Sequence, residues 1–285
     1  MILETTCIEC IINQSVKVAH AIEADSSLED RLVTNTKELS SNFSFELSPP
    51  EVASDVYEEM SKIANKADLY DKQKAEATEQ ALSFIPSLKQ HLNKSDNKLL
   101  SATKIAVAGN VIDLAAEVLY DLKNEMDKIF DTDFAHNDFN ELQKELQKAE
   151  TLVILGDNVG EHIFDYLFIE VLKELYPSLS ISYFVRGRPI INDVTLKEAK
   201  EAGFDTLCNL VDSGVNTPGF AYSRATKEAQ ELFNKADLIV SKGMGNYECL
   251  SPAHRENIFF LLKVKCSVVA NSLQQELGDI ICKRV

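Results

Sequence analysis

Long apolar runs are missing from this 285-residue chain, and none reaches the length a membrane-spanning helix requires. No basic segment precedes the apolar residues of the opening MILETTCIEC, so it does not read as a secretory signal. Positive charge is scarce: 29 Lys and Arg face 45 Asp and Glu, a net charge of -16. A surface that acidic repels phosphate backbones and anionic lipids, which argues against nucleic acid and membranes as partners. A small anion can still bind where a metal cation and a local lysine reverse the field. Cysteine is thinly spread, at Cys7, Cys10, Cys208, Cys249, Cys266 and Cys282. Four of these sit in or beside apolar segments and read as buried thiols. Without an export signal a disulfide framework is not expected, and the cytoplasm is the default compartment. There is no internal repeat and no low-complexity tract. Hydrophobic residues at 45% and charged residues at 26% exclude a disordered or collagen-like chain and supply a full-sized core.

What is present divides near residue 150. Before it, SLEDRLVTNTKELSSNF and ADLYDKQKAEATEQALSFIPSLKQHL place apolar residues three and four apart, the helical period. Ser48-Pro49-Pro50 announces a helix starting near Glu51, and residues 92–98 form a polar connector. Further helices are expected over about 99–123 and 138–149. From TLVILGD onward the pattern changes. Short apolar runs (TLVILGD, ISYFVRG, DTLCNLVDSG, ADLIVSKG, KCSVVAN) alternate with helical stretches, the last of these at 252–262. Strands alternating with helices imply a mostly parallel sheet with helices on both faces. The expectation is therefore a helical region over 1–150 and, over 151–285, a Rossmann-like three-layer α/β/α metal-binding domain.

In an open parallel sheet, ligands bind beyond the carboxyl ends of the strands. The segments there are Gly156-Asp157-Asn158-Val159-Gly160-Glu161, Arg186 to Asp193, Asp212-Ser213-Gly214 with Pro218-Gly219, and Lys242 to Glu248. Asp157, Asn158 and Asp193 make an oxygen-only set that suits Mg²⁺, Mn²⁺ or a similar ion. Each alone is ordinary turn and cap chemistry; together, at successive strand ends, they read as a site. Lys242 precedes Gly243 and Gly245, an arrangement that suits an anion or a solvated turn equally well. It is neither a Walker A loop nor GxGxxG. Gly109-Asn110 and Asp113 interrupt an apolar helical stretch, as a polar role or close packing would require. Cys7-Ile8-Glu9-Cys10 is a single CxxC and reads as two helix-face thiols, with a redox or metal role as the alternative. His162, beside Glu161, reads as a helix-surface histidine.

These segments resemble a known family. GDNVGE (156–161), RGRPIINDVT (186–195), SGVNTPG (213–219) and ADLIVSKGMGNYE (236–248) are similar to motifs of the damage-control phosphatases, long filed as domain of unknown function 89. AGNVID (108–113), CIEC (7–10) with Gln14, and ADLYDKQK (67–74) resemble its CxxC-bearing prokaryotic branch. The pattern departs at Leu69, Asn13 and Thr78, where Pro, Arg and Asn are usual, and none of these is a proposed metal ligand. The resemblance implies a phosphatase of small phosphorylated metabolites, such as sugar phosphates or damaged cofactor intermediates, supported by Mn²⁺, Co²⁺, Ni²⁺ or Mg²⁺. Carried onto this chain, it makes Asp157, Asn158 and Asp193 the metal ligands and Lys242 the phosphate contact, aided by the Gly243 amide. Glu161, Asn110 and Asp113 would line the pocket. Asp193 or Glu161 would orient the attacking water, with direct attack by Asp157 as rival chemistry. A nucleotide- or methyl-donor-binding transferase, or a silent binding protein, is the competing class.

Overall fold

The structure, a computed structural model, describes residues 1–108, 128, 130–253 and 255–284. Three helices open the chain: α1 (Thr5–Ala21), α2 (Ser26–Ser40) and α3 (Pro49–Ala64). Their starts are set by local chemistry. The Asp25 carboxylate accepts the Leu28 amide at 2.8 Å, and Ser48 with Glu51 forms a capping box around Pro49 and Pro50. Val18, Leu32, Val56 and Met60 fill the core these helices share. Helices α4 (Asp71–Lys94) and α5 (Lys98–Ala108) follow, and both pack on a later helix, α7 (Glu161–Leu175). The helix expected over 99–123 is described only as far as Ala108. Gly109, Asn110 and Asp113 lie outside the described residues.

The remaining elements build one seven-stranded sheet. In chain order they are β1 (His136–Asn137), α6 (Phe139–Leu146), β2 (Thr151–Leu155), α7, β3 (Ser180–Val185), α8 (Leu196–Glu201), α9 (Phe204–Leu207), β4 (Asn209–Asp212) and α10 (Lys227–Lys235). Then come β5 (Leu238–Lys242), α11 (Gly243–Leu250), β6 (Ile258–Lys263), α12 (Ser267–Leu273) and β7 (Ile280–Arg284). The strand order is β1-β7-β6-β5-β2-β3-β4, and every pair is parallel except β6 with β7. Alternate residues of each strand serve opposite faces. Leu152, Ile154, Tyr183 and Val240 pack under α5 and α7, whereas Val153, Leu155, Phe184 and Ile239 pack under α10, α11 and α12. Burial on both faces explains why β2 and β5 read as continuous apolar runs. No helix among the described residues is long and apolar enough to cross a membrane.

Three readings of local structure change. The stretch expected as a helix at 252–262 overlaps β6, and KCSVVAN, expected as a strand, overlaps α12. In β6, Ile258 to Leu262 are all buried, so the apolar run fills both faces of a central strand and has no polar face to leave in solvent. At α12 a cap overrides the β-branched valines: the Cys266 Sγ accepts the Val269 amide at 3.4 Å. Within DTLCNLVDSG only residues 209–212 form the strand, after the short helix α9. The edge strand β1 and its neighbour β7 had no counterpart in the sequence reading.

Candidate active site

The exits of β2 and β3 are stitched together before any side chain takes part. Asn158 and Asp193 pair as an antiparallel bridge. The Val194 amide donates to the Asp157 carbonyl at 2.8 Å and the Val159 amide to the Asn192 carbonyl at 2.8 Å. This backbone seam holds Asp157, Asn158 and Asp193 side by side. Ile191, two residues before Asp193, has φ 47°, a left-handed conformation that a β-branched side chain rarely takes. Such strain persists only where the surroundings fix it and is concentrated at functional sites.

The side chains form a dense polar cluster. The Asn158 amide donates to Asp157 Oδ2 and to Glu161 Oε1, each at 3.0 Å. Arg186, 1% exposed, donates from Nε to Asp193 Oδ2 at 2.7 Å and from Nη2 to Asn246 Oδ1 at 3.2 Å. Asn246 donates in turn to the carbonyls of Lys242 (2.6 Å) and Gly156 (3.1 Å), tying the exit of β5 to that of β2. Gly243 has φ 75°, and a β-carbon there would overlap the Asp157 carboxylate. Only glycine allows this turn to close on that aspartate.

Burial and mutual repulsion govern the charge of these carboxyls. Burial, then the neighbouring Glu161 and Asp193, push the Asp157 carboxyl up to about 8. Burial raises Asp193 to about 6 despite the opposing pull of Arg186. Carboxyls that repel one another in a buried place are stabilised by a cation between them. The donors are hard oxygens, two carboxylates and an amide, which fits a divalent ion of the Mg²⁺ or Mn²⁺ kind. Among the described residues no three His, Cys, Asp or Glu side chains cluster as a metal site by themselves; here the third donor is an asparagine.

Asp157, Asn158 and Asp193 all line one cavity of about 310 Å³. Its other walls come from α1, α3, α11 and the approach to α12, and include Cys7, Cys10, Gln14, Tyr57, Glu248, Lys265 and Cys266. The N-terminal helices therefore roof the strand edge. Lys265 is the one cation among the described lining residues, and its charge reaches Asp157.

Lys242 sits elsewhere. It is fully buried and does not line the cavity. Its ammonium donates to Asp165 Oδ1 at 2.6 Å, and the Tyr183 hydroxyl donates to Asp165 Oδ2 at 2.9 Å. Burial opposes the charge on Lys242, yet Asp165 and Glu161 outweigh it and raise its pKa. Burial also pushes Asp165 up, against Lys242 and Tyr183. We take the pair as ionised, because both carboxylate oxygens have a donor. His162, expected on a helix surface, is instead 1% exposed and stacks on Phe204; its Nδ1 accepts the Gly160 amide at 3.0 Å, and burial lowers it to about 4. The cause is tertiary: the ring lies against Phe204 of α9. The sequence reading gave no role to Arg186, Asn246, Asp165, Tyr57 or Lys265. Arg186 and Asn246 stood in quoted motifs at strand exits, whereas Asp165 and Tyr57 lie in helices where only the tertiary fold brings them near.

Residues 3–281 match the family described as damage-control phosphatase ARMT1-like domain. The chain is 32% identical to Damage-control phosphatase PH1575 of Pyrococcus horikoshii, with 100% of this chain and 98% of that protein covered. It is 30% identical to a protein named Damage-control phosphatase from Archaeoglobus fulgidus, with 100% of each covered. The crystal structure of the Pyrococcus horikoshii protein, described as a DUF89 family protein, superposes with a TM-score of 0.93 over 100% of this chain and 99% of that one, at 30% identity.

Proposed function

The chain belongs to the damage-control phosphatase ARMT1-like family, and from that premise we propose that it is a divalent-metal-dependent phosphatase of small phosphorylated metabolites. The observation that carries the reading is the convergence of Asp157, Asn158 and Asp193 on one cavity. These three side chains would hold the ion, and a divalent ion such as Mn²⁺, Co²⁺, Ni²⁺ or Mg²⁺ supplies Lewis-acid charge to a phosphate ester and to the attacking water.

This chain's own groups do the rest. Arg186 holds Asp193 in place from the interior side. Lys265, at the cavity wall, meets the anionic part of the substrate and offsets the surrounding acidic charge. The Gly243 amide approaches the same anion, because no side chain stands between that turn and Asp157. Lys242, held by Asp165, contributes positive potential from within, and leaving Asp165 is the condition for any direct phosphate contact. Glu161 or Asp193 orients the water. Asn110 and Asp113 are proposed to complete the pocket. Water is preferred over Asp157 as nucleophile because a carboxylate engaged with a cation is a weaker one. The cavity, about 310 Å³, is of a size for small metabolites.

The test is release of inorganic phosphate from p-nitrophenyl phosphate and from a panel of phosphorylated metabolites. Activity should disappear with EDTA and return with Mn²⁺ or Co²⁺. Absence of hydrolysis with every divalent ion would leave the transferase or binding-protein alternatives.

A further inference from the structure

The CxxC of α1 has no part in the reading above, yet it faces the same cavity. Cys7 and Cys10 line it with Asp157, Asn158 and Asp193. The two thiols differ in access: Cys7 is buried at 8% exposure, whereas Cys10 is exposed. Both lie in the first two turns of α1, which begins at Thr5. Residues three apart on an α-helix have Cα atoms about 5 Å apart, inside the range a disulfide spans. The helix that carries the pair is also tied to the cavity wall by a hydrogen bond. Gln14, on the same helix, accepts the Tyr57 hydroxyl at 3.2 Å, and both line the cavity beside Asp193.

We propose that Cys7 and Cys10 are a redox-active dithiol whose closure to a disulfide reshapes the wall of the catalytic cavity and lowers turnover. The effect on turnover rests on the phosphatase reading; formation of the bond does not. The oxidant is a low-molecular-weight disulfide such as oxidised glutathione. The Cys10 thiolate attacks one of its sulfurs, that S–S bond breaks, and one glutathione leaves as thiolate. Cys7 then attacks the Cys10 sulfur, the mixed disulfide breaks, and the second glutathione leaves. Two protein thiols are oxidised, one small disulfide is reduced to two thiols, and the thiol protons pass to the departing glutathiones. Exposure makes Cys10 the thiol that meets the oxidant. Burial pushes the Cys7 thiol up, which leaves the first attack to Cys10. Cys266, at the same wall, is the competing partner.

The experiment treats the full chain with oxidised glutathione, maps the product by peptide mass, and assays phosphate release before and after dithiothreitol. The expected result is a loss of two hydrogens on the peptide carrying Cys7 and Cys10, with at least a tenfold fall in kcat/KM that dithiothreitol reverses. In Cys10→Ser the ratio of oxidised to reduced activity, measured against itself, should stay near one, whereas in Cys7→Ser the mass map should stop at a Cys10–glutathione mixed disulfide. A linkage to Cys266, no linkage at all, or a Cys7–Cys10 linkage that leaves kcat/KM unchanged overturns the proposal. If the reduced protein releases no phosphate with any divalent ion, the phosphatase reading fails; the mass map still decides whether the dithiol closes.

Discussion

Arg186 at the exit of β3 and Lys242 at the exit of β5 are both buried, and each is paired to one aspartate, at 2.7 and 2.6 Å. The partners differ. Asp193 lines the cavity and is shared between Arg186 and that space, whereas Asp165 is enclosed in α7 and receives both Lys242 and the Tyr183 hydroxyl. One pair is closed and saturated. The other presents a carboxylate, pushed up to about 6, to a space that also holds Asp157. A saturated buried pair serves architecture; an under-neutralised one at a cavity is a place for a further cation.

The comparison breaks most visibly at the open side. Asp157→Ala or Asp193→Ala is expected to lower metal-dependent kcat by at least the order of 10²–10³-fold, with the far-UV spectrum unchanged. Normal turnover in either variant would mean that this carboxylate is turn chemistry only. Next in size are the two buried cations. Lys242→Met strands Asp165 and should cost about 3–5 kcal/mol in urea unfolding. The double variant Lys242→Met with Asp165→Leu should recover most of it. Arg186→Met should also destabilise, but here saturating Mn²⁺ should restore part of the loss by binding the folded state. With each variant's deficit taken against the wild type at the same Mn²⁺ concentration, an equal shrinkage for Lys242→Met would erase the distinction drawn between the two pairs.

Smaller effects sharpen it. Gly243→Ala meets both a left-handed φ and the Asp157 carboxylate, and should cost about 1–2 kcal/mol from the backbone alone. Its activity should fall more than its stability, because Asp157 must move; the reverse ranking in paired unfolding and kinetic assays would contradict the account. The smallest effect concerns pH in the metal-stripped protein. Asp157 and Asp193 are raised to about 8 and about 6, so the folded chain holds more protons than the unfolded chain between about pH 4 and 8. Stability therefore falls as pH rises through that window. Tm should drop by a few degrees from pH 5 to 8, and excess Mn²⁺ should flatten the trend. A metal-free Tm that rises with pH would reverse the sign.

The strand exits were more legible than the order of helices and strands after residue 250. Strand exits can be read because a continuous apolar run ends in Gly, Asp or Asn, and TLVILGDN and LIVSKG do so plainly. β6 and α12 were exchanged because IFFLLK and SVVANSL are both short apolar runs, and periodicity cannot separate a buried strand from a buried helix turn at that length. β1 has two residues and no pattern to find. The partner of Lys242 was invisible, because Asp165 lies 77 positions away in a helix that reads as amphipathic. The meeting of Cys7 and Cys10 with Asp157 likewise depends on α1 folding back over the sheet, a long-range contact that no local spacing encodes.

The most direct measurement is a calorimetric titration of Mn²⁺ into the metal-stripped chain, alongside Asp157→Asn. The account predicts one ion bound per wild-type chain, with proton release that grows below pH 8, and binding weakened at least a hundredfold in the variant. Equal affinity in the two proteins, or no binding to the wild type, would contradict it.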